Sequence, residues 1–235
     1  MQILYAVRHG LSRGGDGAWS RVGQLSLRRE RRYALRSMAQ ERLFPLPDLS
    51  GRLAVLGGQL RARTELCLSL ALRQARQHGV VVCLDAHGRQ QLEMTFRLLL
   101  REDAAYIPLP AEGTVSDSIA QQVLQTLQTG LGATPSLPPL LIIDGARETA
   151  DWEHTLTFFL RTGTVVVELL PHPACLVFGR YETTLLLHAA GAEAEAISQT
   201  VGRKVAPEDL ERLQPGEGYF IHLARVYRVR FPEHS

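Results

Sequence analysis

The sequence predicts a single α/β domain built around a largely parallel, buried sheet. Its 235 residues, 45% of them hydrophobic, are enough for one substantial core and do not require two domains. Apolar runs rich in valine, isoleucine and leucine alternate with longer amphipathic stretches, which is the rhythm of βαβ units. Several runs end in an acidic or turn residue, as in "LDAHG" and "IIDGA". Because ligands gather at the carboxyl ends of parallel strands, these ends are the first candidate sites.

Eight short apolar runs are predicted to be strands. They are rich in leucine and β-branched residues, and turn residues bound several of them. The last two follow each other closely and predict a C-terminal hairpin. In chain order the predicted strands are 53–57, 80–85, 105–109, 139–144, 164–169, 183–188, 218–223 and 225–231.

The stretches between these runs have the apolar spacing of helices that pack one face against a sheet. The segment "GLGATPSLPP" is a loop by composition. The predicted helices are 64–78, 90–101, 116–130, 148–161, 193–201 and 207–212.

Charge and cysteine content exclude some classes of protein. A net charge of +2, from 26 basic and 24 acidic residues, gives no overall electrostatic drive toward nucleic acid, although local clusters can still bind it. Three cysteines without regular spacing (Cys67, Cys83 and Cys175) argue against a disulfide framework and indicate a reducing compartment. No apolar run approaches the roughly 20 residues that span a bilayer, and "MQILYAVRHG" lacks the pattern of a signal peptide. We therefore expect a cytoplasmic protein.

The N-terminal segment has a different composition from the rest of the chain. "RRERRYALRSMAQER", from Arg28 to Arg42, places many arginines in one helix-like stretch. It is either a solvated helix face or a docking surface for a polyanion or an acidic partner. We predict a basic extension over 1–48 and the main domain over 49–235.

The stretch "GGQLRARTE" at 57–65 lies between a predicted strand and a predicted helix, where phosphate-binding loops are found. Against G-x-x-x-x-G-K-[ST] it keeps Gly57, followed by Gly58, and Thr64. Ala62 and Arg63 replace the second glycine and the lysine. Glycines let backbone N–H groups converge on phosphate, and arginine is longer and planar where lysine is a compact charge. The sequence therefore predicts a degenerate phosphate loop.

A second motif, "PLLIIDGAR" at 139–147, has the shape of a Walker B strand. Asp144 at its end is placed as the aspartate that holds magnesium beside a phosphate loop. Gly145 follows, where active ATPases of the additional-strand branch usually carry a glutamate that polarises water. Because glycine has no side chain, it cannot be the general base.

Together these motifs resemble the HerA/FtsK superfamily of P-loop ATPases, especially the coupling proteins of conjugation and type IV secretion. The resemblance covers about 50–232 and includes "LDAHG" at 84–88, "FFLRTGTVVVEL" at 158–169 and a closing run from 192 to 231 that contains "LQPGEG". It implies a RecA-like three-layer domain. It also implies interface or sensor roles for Asp85, His87 and Arg161.

The departures from the family pattern imply a pseudo-ATPase. Leu60 and Ala62 stand where the family has glycines, and the room for a helix-bundle insertion or membrane anchor is missing. We expect ATP and magnesium to bind weakly or not at all, and the chain not to be an independent enzyme. The resemblance implies an assembly or regulatory subunit of a DNA-processing or DNA-translocation complex. Its partners would be copies of itself, an active ATPase or another DNA-processing protein, with DNA contact possible. A weak ATPase completed by a partner is the alternative.

A rival resemblance rests on "YAVRHG", which matches the R-H-G signature of histidine phosphatases. His9 would be the nucleophile and His87 its partner. This match covers three residues and leaves the chain after residue 100 unexplained. His172 and Cys175 have a ligand-like spacing, but without a second pair a proline-rich loop explains them better than zinc. We therefore predict no metal site of this kind.

Overall fold

The computed structural model describes residues 43–99, 104–110, 112–130, 137–147, 150–177, 179–223 and 225–231. Contacts divide the chain after Arg42, and all described residues belong to the unit Leu43–Ser235. The Arg28–Arg42 segment and His9 lie outside the described residues, so their predicted roles stay predictions. Within the described part, no helix combines the length and apolar character needed to cross a membrane.

A nine-stranded mixed sheet forms the centre of the described part of this unit. Its order is β1-β9-β8-β7-β2-β6-β5-β3-β4. The six strands from β7 to β4 in that order are parallel, while β8 runs antiparallel to β7 and β9. The strands are β1 (Leu43–Pro45), β2 (Arg52–Leu56), β3 (Val81–Asp85), β4 (Ala104–Pro108), β5 (Leu140–Asp144), β6 (Val165–Leu169), β7 (Thr183–Leu186), β8 (Glu217–His222) and β9 (Arg225–Arg230).

Helices cover both faces of the sheet. On β2, Leu53 and Val55 face one core, whereas Ala54 and Leu56 face the other, because successive side chains on a strand point to opposite sides. The first face is covered by α1 and α2, and the second by α3 to α6. The helices are α1 (Leu60–Arg76), α2 (Gln90–Leu99), α3 (Asp117–Gly130), α4 (Ala150–Arg161), α5 (Gly191–Thr200) and α6 (Pro207–Glu211). This is the predicted three-layer α/β architecture, and that prediction is confirmed.

All eight predicted strands are present close to their predicted bounds. The ninth, β1, was not predicted, because three residues with exposed side chains carry no burial pattern. It pairs in parallel with β9, so the compact unit that holds the sheet begins at Leu43, a few residues before 49.

The start of α1 corrects the prediction that this helix begins at residue 64. It begins at Leu60, because Leu60, Arg61 and Ala62 are good helix formers where a phosphate loop has glycines. The segment between β2 and α1 is therefore only Gly57, Gly58 and Gln59.

The sheet brings the predicted motifs to one edge. β6 lies between β2 and β5, so one strand separates the strand before the glycine turn from the strand that ends in Asp144. β3 pairs with β5 so that Asp85 is directly opposite Asp144, and both residues end their strands. The loop after β2 leaves the sheet at the same carboxyl edge, because β2, β3 and β5 all run parallel.

Candidate functional site

The loop after β2 is closed by contacts within the chain. Gly57 and Gly58 have φ values of +75° and +81°, a conformation that side chains disfavour. A Cβ on Gly58 would lie 2.6 Å from Leu187 Cδ1. The Gly58 N–H donates to the His188 carbonyl over 2.9 Å, so this N–H is not available to a phosphate. The two glycines therefore allow a tight strand-to-helix turn against the end of β7.

Arg63, at the lysine position of the motif, folds back into this turn. Its Nε donates to the carbonyls of Gly57 and Gly58 at 3.1 and 3.2 Å, and its Nη2 donates to the Leu170 carbonyl at 2.7 Å. Its Nη1 donates to Asp144 Oδ1 at 3.2 Å. A phosphate-binding lysine must project toward the ligand. The Arg63 guanidinium is instead held inside the protein by four acceptors.

Thr64 is engaged in the same way. Its hydroxyl donates to the Leu60 carbonyl at 2.8 Å, one turn back in α1, and lies 3.4 Å from Nη1 of Arg89. The contact from Arg89 uses a lone pair of the Thr64 oxygen, and it therefore competes with the magnesium contact that the motif would give this hydroxyl.

Arg89 is a second buried guanidinium at the site, and the sequence analysis missed it. Its Nη2 donates to Asp85 Oδ1 at 2.8 Å and also lies 3.1 Å from Asp144 Oδ2. Its own backbone N–H donates to Asp85 Oδ2 at 3.0 Å, and the Tyr106 hydroxyl donates to the same oxygen at 2.8 Å. The available signal was an arginine four residues after Asp85, immediately beyond the glycine turn. Nothing in the sequence indicated Tyr106.

The pKa values of this cluster follow from burial and pairing. Burial raises the pKa of Asp85, but hydrogen bonds from Arg89 and Tyr106 outweigh it and hold the pKa below its ordinary value. Burial lowers the pKa of Arg89, but the hydrogen bond to Asp85 and the nearby negative charges raise it overall. Burial and the hydrogen bond to Asp85 both raise the pKa of Tyr106. Asp85 is therefore ionised, while Arg89 stays charged and Tyr106 stays neutral.

The site balances its own charge. Asp85 and Asp144 are completely buried, and each lies against a guanidinium from Arg63 or Arg89. Asp144 Oδ2 has no hydrogen bond of good geometry in the described part, although the Arg89 Nη2 atom is near enough for a strong charge interaction. Two carboxylates and two guanidiniums sum to zero, so the carboxylates leave no net negative charge that would attract a metal ion.

The residues that could hold a metal ion are Asp85, His87 and Asp144, whose ligand atoms all lie within 4.8 Å of one another. His87 Nε2 is 3.4 Å from Asp144 Oδ1. This hydrogen bond raises the pKa of His87, and a proton on the ring competes with a metal. Arg63 and Arg89 already occupy the carboxylate oxygens. A divalent ion would have to displace them or add charge to a buried neutral cluster, so the donor set does not fit magnesium.

The position after Asp144 has no room for a general base. Gly145 has φ +77°, and a Cβ there would lie 2.9 Å from Ala86 Cβ and 3.2 Å from His87 Nε2. The turn after β3 thus fills the space in which a glutamate side chain would stand. Close packing between the loop after β3 and the loop after β5 thus leaves no room for a side chain at position 145.

The structure does not bring Arg161 to this site. Arg161 ends α4, and the following strand begins at Val165, which pairs with Leu140 at the start of β5. It is therefore exposed at the opposite edge of the sheet from Asp144. His172 precedes a short 3₁₀ turn (Pro173–Cys175), and the N–H of Cys175, the last residue of this turn, donates to the His172 carbonyl. Neither belongs to the group of possible metal ligands found in the described residues.

Comparison with solved structures agrees with this topology. The chain is similar to B204, the DNA-packaging ATPase of Sulfolobus turreted icosahedral virus, with TM-score 0.55, 10% identity, and coverage of 78% of this chain and 98% of that one. It is also similar to the genome-packaging NTPase B204 of Sulfolobus turreted icosahedral virus 2 in complex with ATP-gammaS, with TM-score 0.52, 10% identity and coverage of 77% and 98%. No protein-family model and no curated protein matches the chain. These likenesses show the fold, which is a RecA-like α/β domain.

Proposed function

We propose that this chain is a P-loop-derived subunit that has lost nucleotide binding and that acts in assembly or regulation within a DNA-processing or DNA-translocation complex. The observation that carries the proposal is Arg63. A residue that should receive the phosphates instead donates to the loop carbonyls and to Asp144. The start of α1 at Leu60 and the packing against Gly145 support the same conclusion.

The DNA-related part of the proposal rests on the family resemblance and on the fold shared with viral packaging ATPases. A RecA-like domain that cannot use nucleotide keeps its surfaces, and those surfaces can still place it in a ring or beside an active subunit. The Arg28–Arg42 segment is the docking surface that the sequence suggests. The RecA-like fold favours this function over that of a histidine phosphatase. In the phosphatase alternative His87 is the partner of the nucleophile His9, whereas here its Nε2 atom lies 3.4 Å from Oδ1 of buried Asp144.

Nucleotide binding is tested by calorimetry of the purified protein with magnesium-ATP. We expect no saturable binding up to about 1 mM, which corresponds to less than about 4 kcal/mol of binding free energy. The double variant Ala62→Gly with Arg63→Lys should bind more tightly than wild type, since it returns backbone freedom and a compact charge to the loop. Arg61→Lys, a change at an exposed neighbour, is the matched control and should not bind. Micromolar affinity in the wild type would overturn the proposal.

Assembly is tested by light scattering of the purified chain and by affinity capture from its own cells. We expect either an oligomer or a stable complex with an ATPase or another DNA-processing protein. A protein that stays monomeric at high concentration and is recovered without such a component would contradict the assembly role.

The alternative is a weak ATPase completed by a partner, and mutation of the partner distinguishes it from the proposed function. In a reconstituted complex we expect turnover to disappear when the phosphate-loop lysine of the partner is changed to alanine. Turnover that survives this change but is lost with Asp144→Asn in our chain would show that the chain itself hydrolyses ATP.

A further inference from the structure

The guanidinium of Arg89 contacts the groups that would hold magnesium in a working P-loop site. In P-loop NTPases the ion is held by the hydroxyl of the phosphate loop and by the aspartate of the Walker B strand. In this chain those groups belong to Thr64 and Asp144. Arg89 Nη1 lies 3.4 Å from Thr64 Oγ1, and Arg89 Nη2 lies 3.1 Å from Asp144 Oδ2. One side chain thus reaches both positions of the motif.

The same guanidinium nitrogen also reaches a second carboxylate. Arg89 Nη2 donates to Asp85 Oδ1 at 2.8 Å, so this one atom lies between the carboxylates of Asp85 and Asp144. The register of β3 and β5 places the two aspartates opposite each other, and both are completely buried. Two buried carboxylates on neighbouring strands repel each other unless a positive charge lies between them. Arg89, whose side chain is 5% exposed, supplies that charge from within the chain.

The two oxygens of Asp144 are stabilised in different ways. Oδ1 accepts a hydrogen bond from Arg63 Nη1 and lies 3.4 Å from His87 Nε2. Oδ2 is buried and has no hydrogen bond of good geometry among the described residues, although Arg89 Nη2 lies 3.1 Å away. This oxygen is therefore stabilised by a nearby charge and not by a well-directed N–H, and charge is what a metal ion would supply there.

We propose that Arg89 is a built-in replacement for the divalent cation of a P-loop site, and that removal of its guanidinium uncovers a metal site. The ligands would be Asp85, His87 and Asp144, whose ligand atoms all lie within 4.8 Å of one another. The His87 side chain is 41% exposed, so an ion has a path from solvent to the two carboxylates. Carboxylates and water suit Mn²⁺, and an imidazole can complete the set.

This inference deepens the proposed function and rests on it, because it treats the site as one derived from a P-loop ATPase. In an active ATPase the nucleotide and its metal ion hold loops that are released after hydrolysis, so the charge beside the strand ends changes during the cycle. Arg89 is covalently attached and, as an arginine, stays charged. The loops after β3 and β5 are therefore held in one charge state, whether or not nucleotide is present.

The test is a titration of the full chain with Mn²⁺ in the absence of nucleotide, with the electron paramagnetic resonance signal of the free ion as the readout. Arg89→Ala removes the guanidinium and leaves space for a hydrated ion. Two carboxylates then lie against one guanidinium, that of Arg63. We expect this variant to bind Mn²⁺ at least about tenfold more tightly than the wild type, because the cluster has gained net negative charge.

Thermal unfolding is a second measurement, and it covers the case in which Arg89→Ala does not fold without metal. At an Mn²⁺ concentration about 10 to 100 times the dissociation constant, the melting temperature of the variant should rise by about 3–11 °C, because the ion binds the folded state. If the variant is unfolded in EDTA, Mn²⁺ should restore the circular dichroism spectrum of the folded protein. The wild type should respond to neither reagent.

Three further variants show whether the charge and the three ligands are responsible. Arg89→Lys keeps a positive charge and should bind Mn²⁺ no more tightly than the wild type. Asp144→Asn, added to Arg89→Ala, removes a ligand and should weaken Mn²⁺ binding by at least about tenfold. The matched control is Arg61→Ala, which also takes a guanidinium from a carboxylate, that of Glu65, but at a position that is 90% exposed. It should not increase the affinity for Mn²⁺.

Three results would overturn the proposal: Mn²⁺ binding by the wild type that is lost in Asp144→Asn, equal Mn²⁺ affinities of Arg89→Ala and Arg61→Ala, or failure of Arg89→Ala to fold both with and without Mn²⁺. None of them bears on the proposed loss of nucleotide binding, because no nucleotide is present in the assay. Conversely, magnesium-ATP binding by the wild type would overturn the proposed function without changing the Mn²⁺ affinities.

Discussion

The substitution Arg63→Met separates a structural arginine from a ligand-binding one. In a working phosphate loop the cation at this position faces the ligand, so its removal from the free protein leaves stability nearly unchanged or improves it. Here the guanidinium is almost fully buried and satisfies Asp144 Oδ1 and three carbonyl oxygens. Methionine fills similar space but leaves all four acceptors without this donor.

The expected loss follows from these contacts. Removing one partner of a buried ion pair costs about 3–5 kcal/mol, because the other charge remains buried and unpaired. Arg89 Nη2 lies 3.1 Å from Asp144 Oδ2 and continues to stabilise that carboxylate, so the lower half of the range is expected. For a domain of this size each 1 kcal/mol lowers the melting temperature by about 2–4 °C, which gives a decrease of roughly 6–16 °C.

The assay is urea and thermal unfolding without nucleotide, with circular dichroism as the readout. Arg61→Met is the control, since Arg61 is 90% exposed and, among the described residues, its ion pair is with Glu65 one turn away. Such a pair contributes about 0.2–0.5 kcal/mol. If the free energy of unfolding of Arg63→Met lies within about 1 kcal/mol of the wild-type value, Arg63 is not a buried structural group and does not close the site.

Three further outcomes are expected. Gly145→Glu should not create ATP turnover in a phosphate-release assay. It should lower the free energy of unfolding by about 1–3 kcal/mol, because φ at this position is +77° and a Cβ would meet Ala86. Gly145→Ala should lower it by a similar amount. The hydrogen bond to Asp144 raises the pKa of His87, so protonated His87 stabilises the folded protein. This contribution is complete at a pH below the ordinary pKa of 6.5 and decreases as pH rises through the raised pKa. If His87→Gln showed the same pH dependence of the free energy of unfolding as the wild type, this expectation would be wrong. The pKa of Asp85 is lowered, so stability should fall as pH drops below 3.8, and Asp85→Asn should remove that loss.

The sequence by itself determined the layers and most of the elements. Burial in a parallel sheet demands continuous apolar runs, and these runs are visible without knowledge of the fold, so the eight predicted strands appear near their expected bounds. The positions of Asp85 and Asp144 at strand ends followed from the same runs. The sequence also showed that Ala62, Arg63 and Gly145 depart from the motifs, because a motif specifies which residue type is expected at each position.

Only the tertiary structure decided what those substitutions do. An arginine in place of lysine is compatible with a weakened site or a closed one, and the choice depends on acceptors that come from distant parts of the chain, such as the Leu170 carbonyl. Arg89 joins Asp85 to Asp144 only because β3 and β5 are neighbours in the sheet. Sequence patterns record which residues are buried or helical. The pairing of buried charges is set by which strands lie side by side, since a buried carboxylate must find a partner wherever the fold brings one.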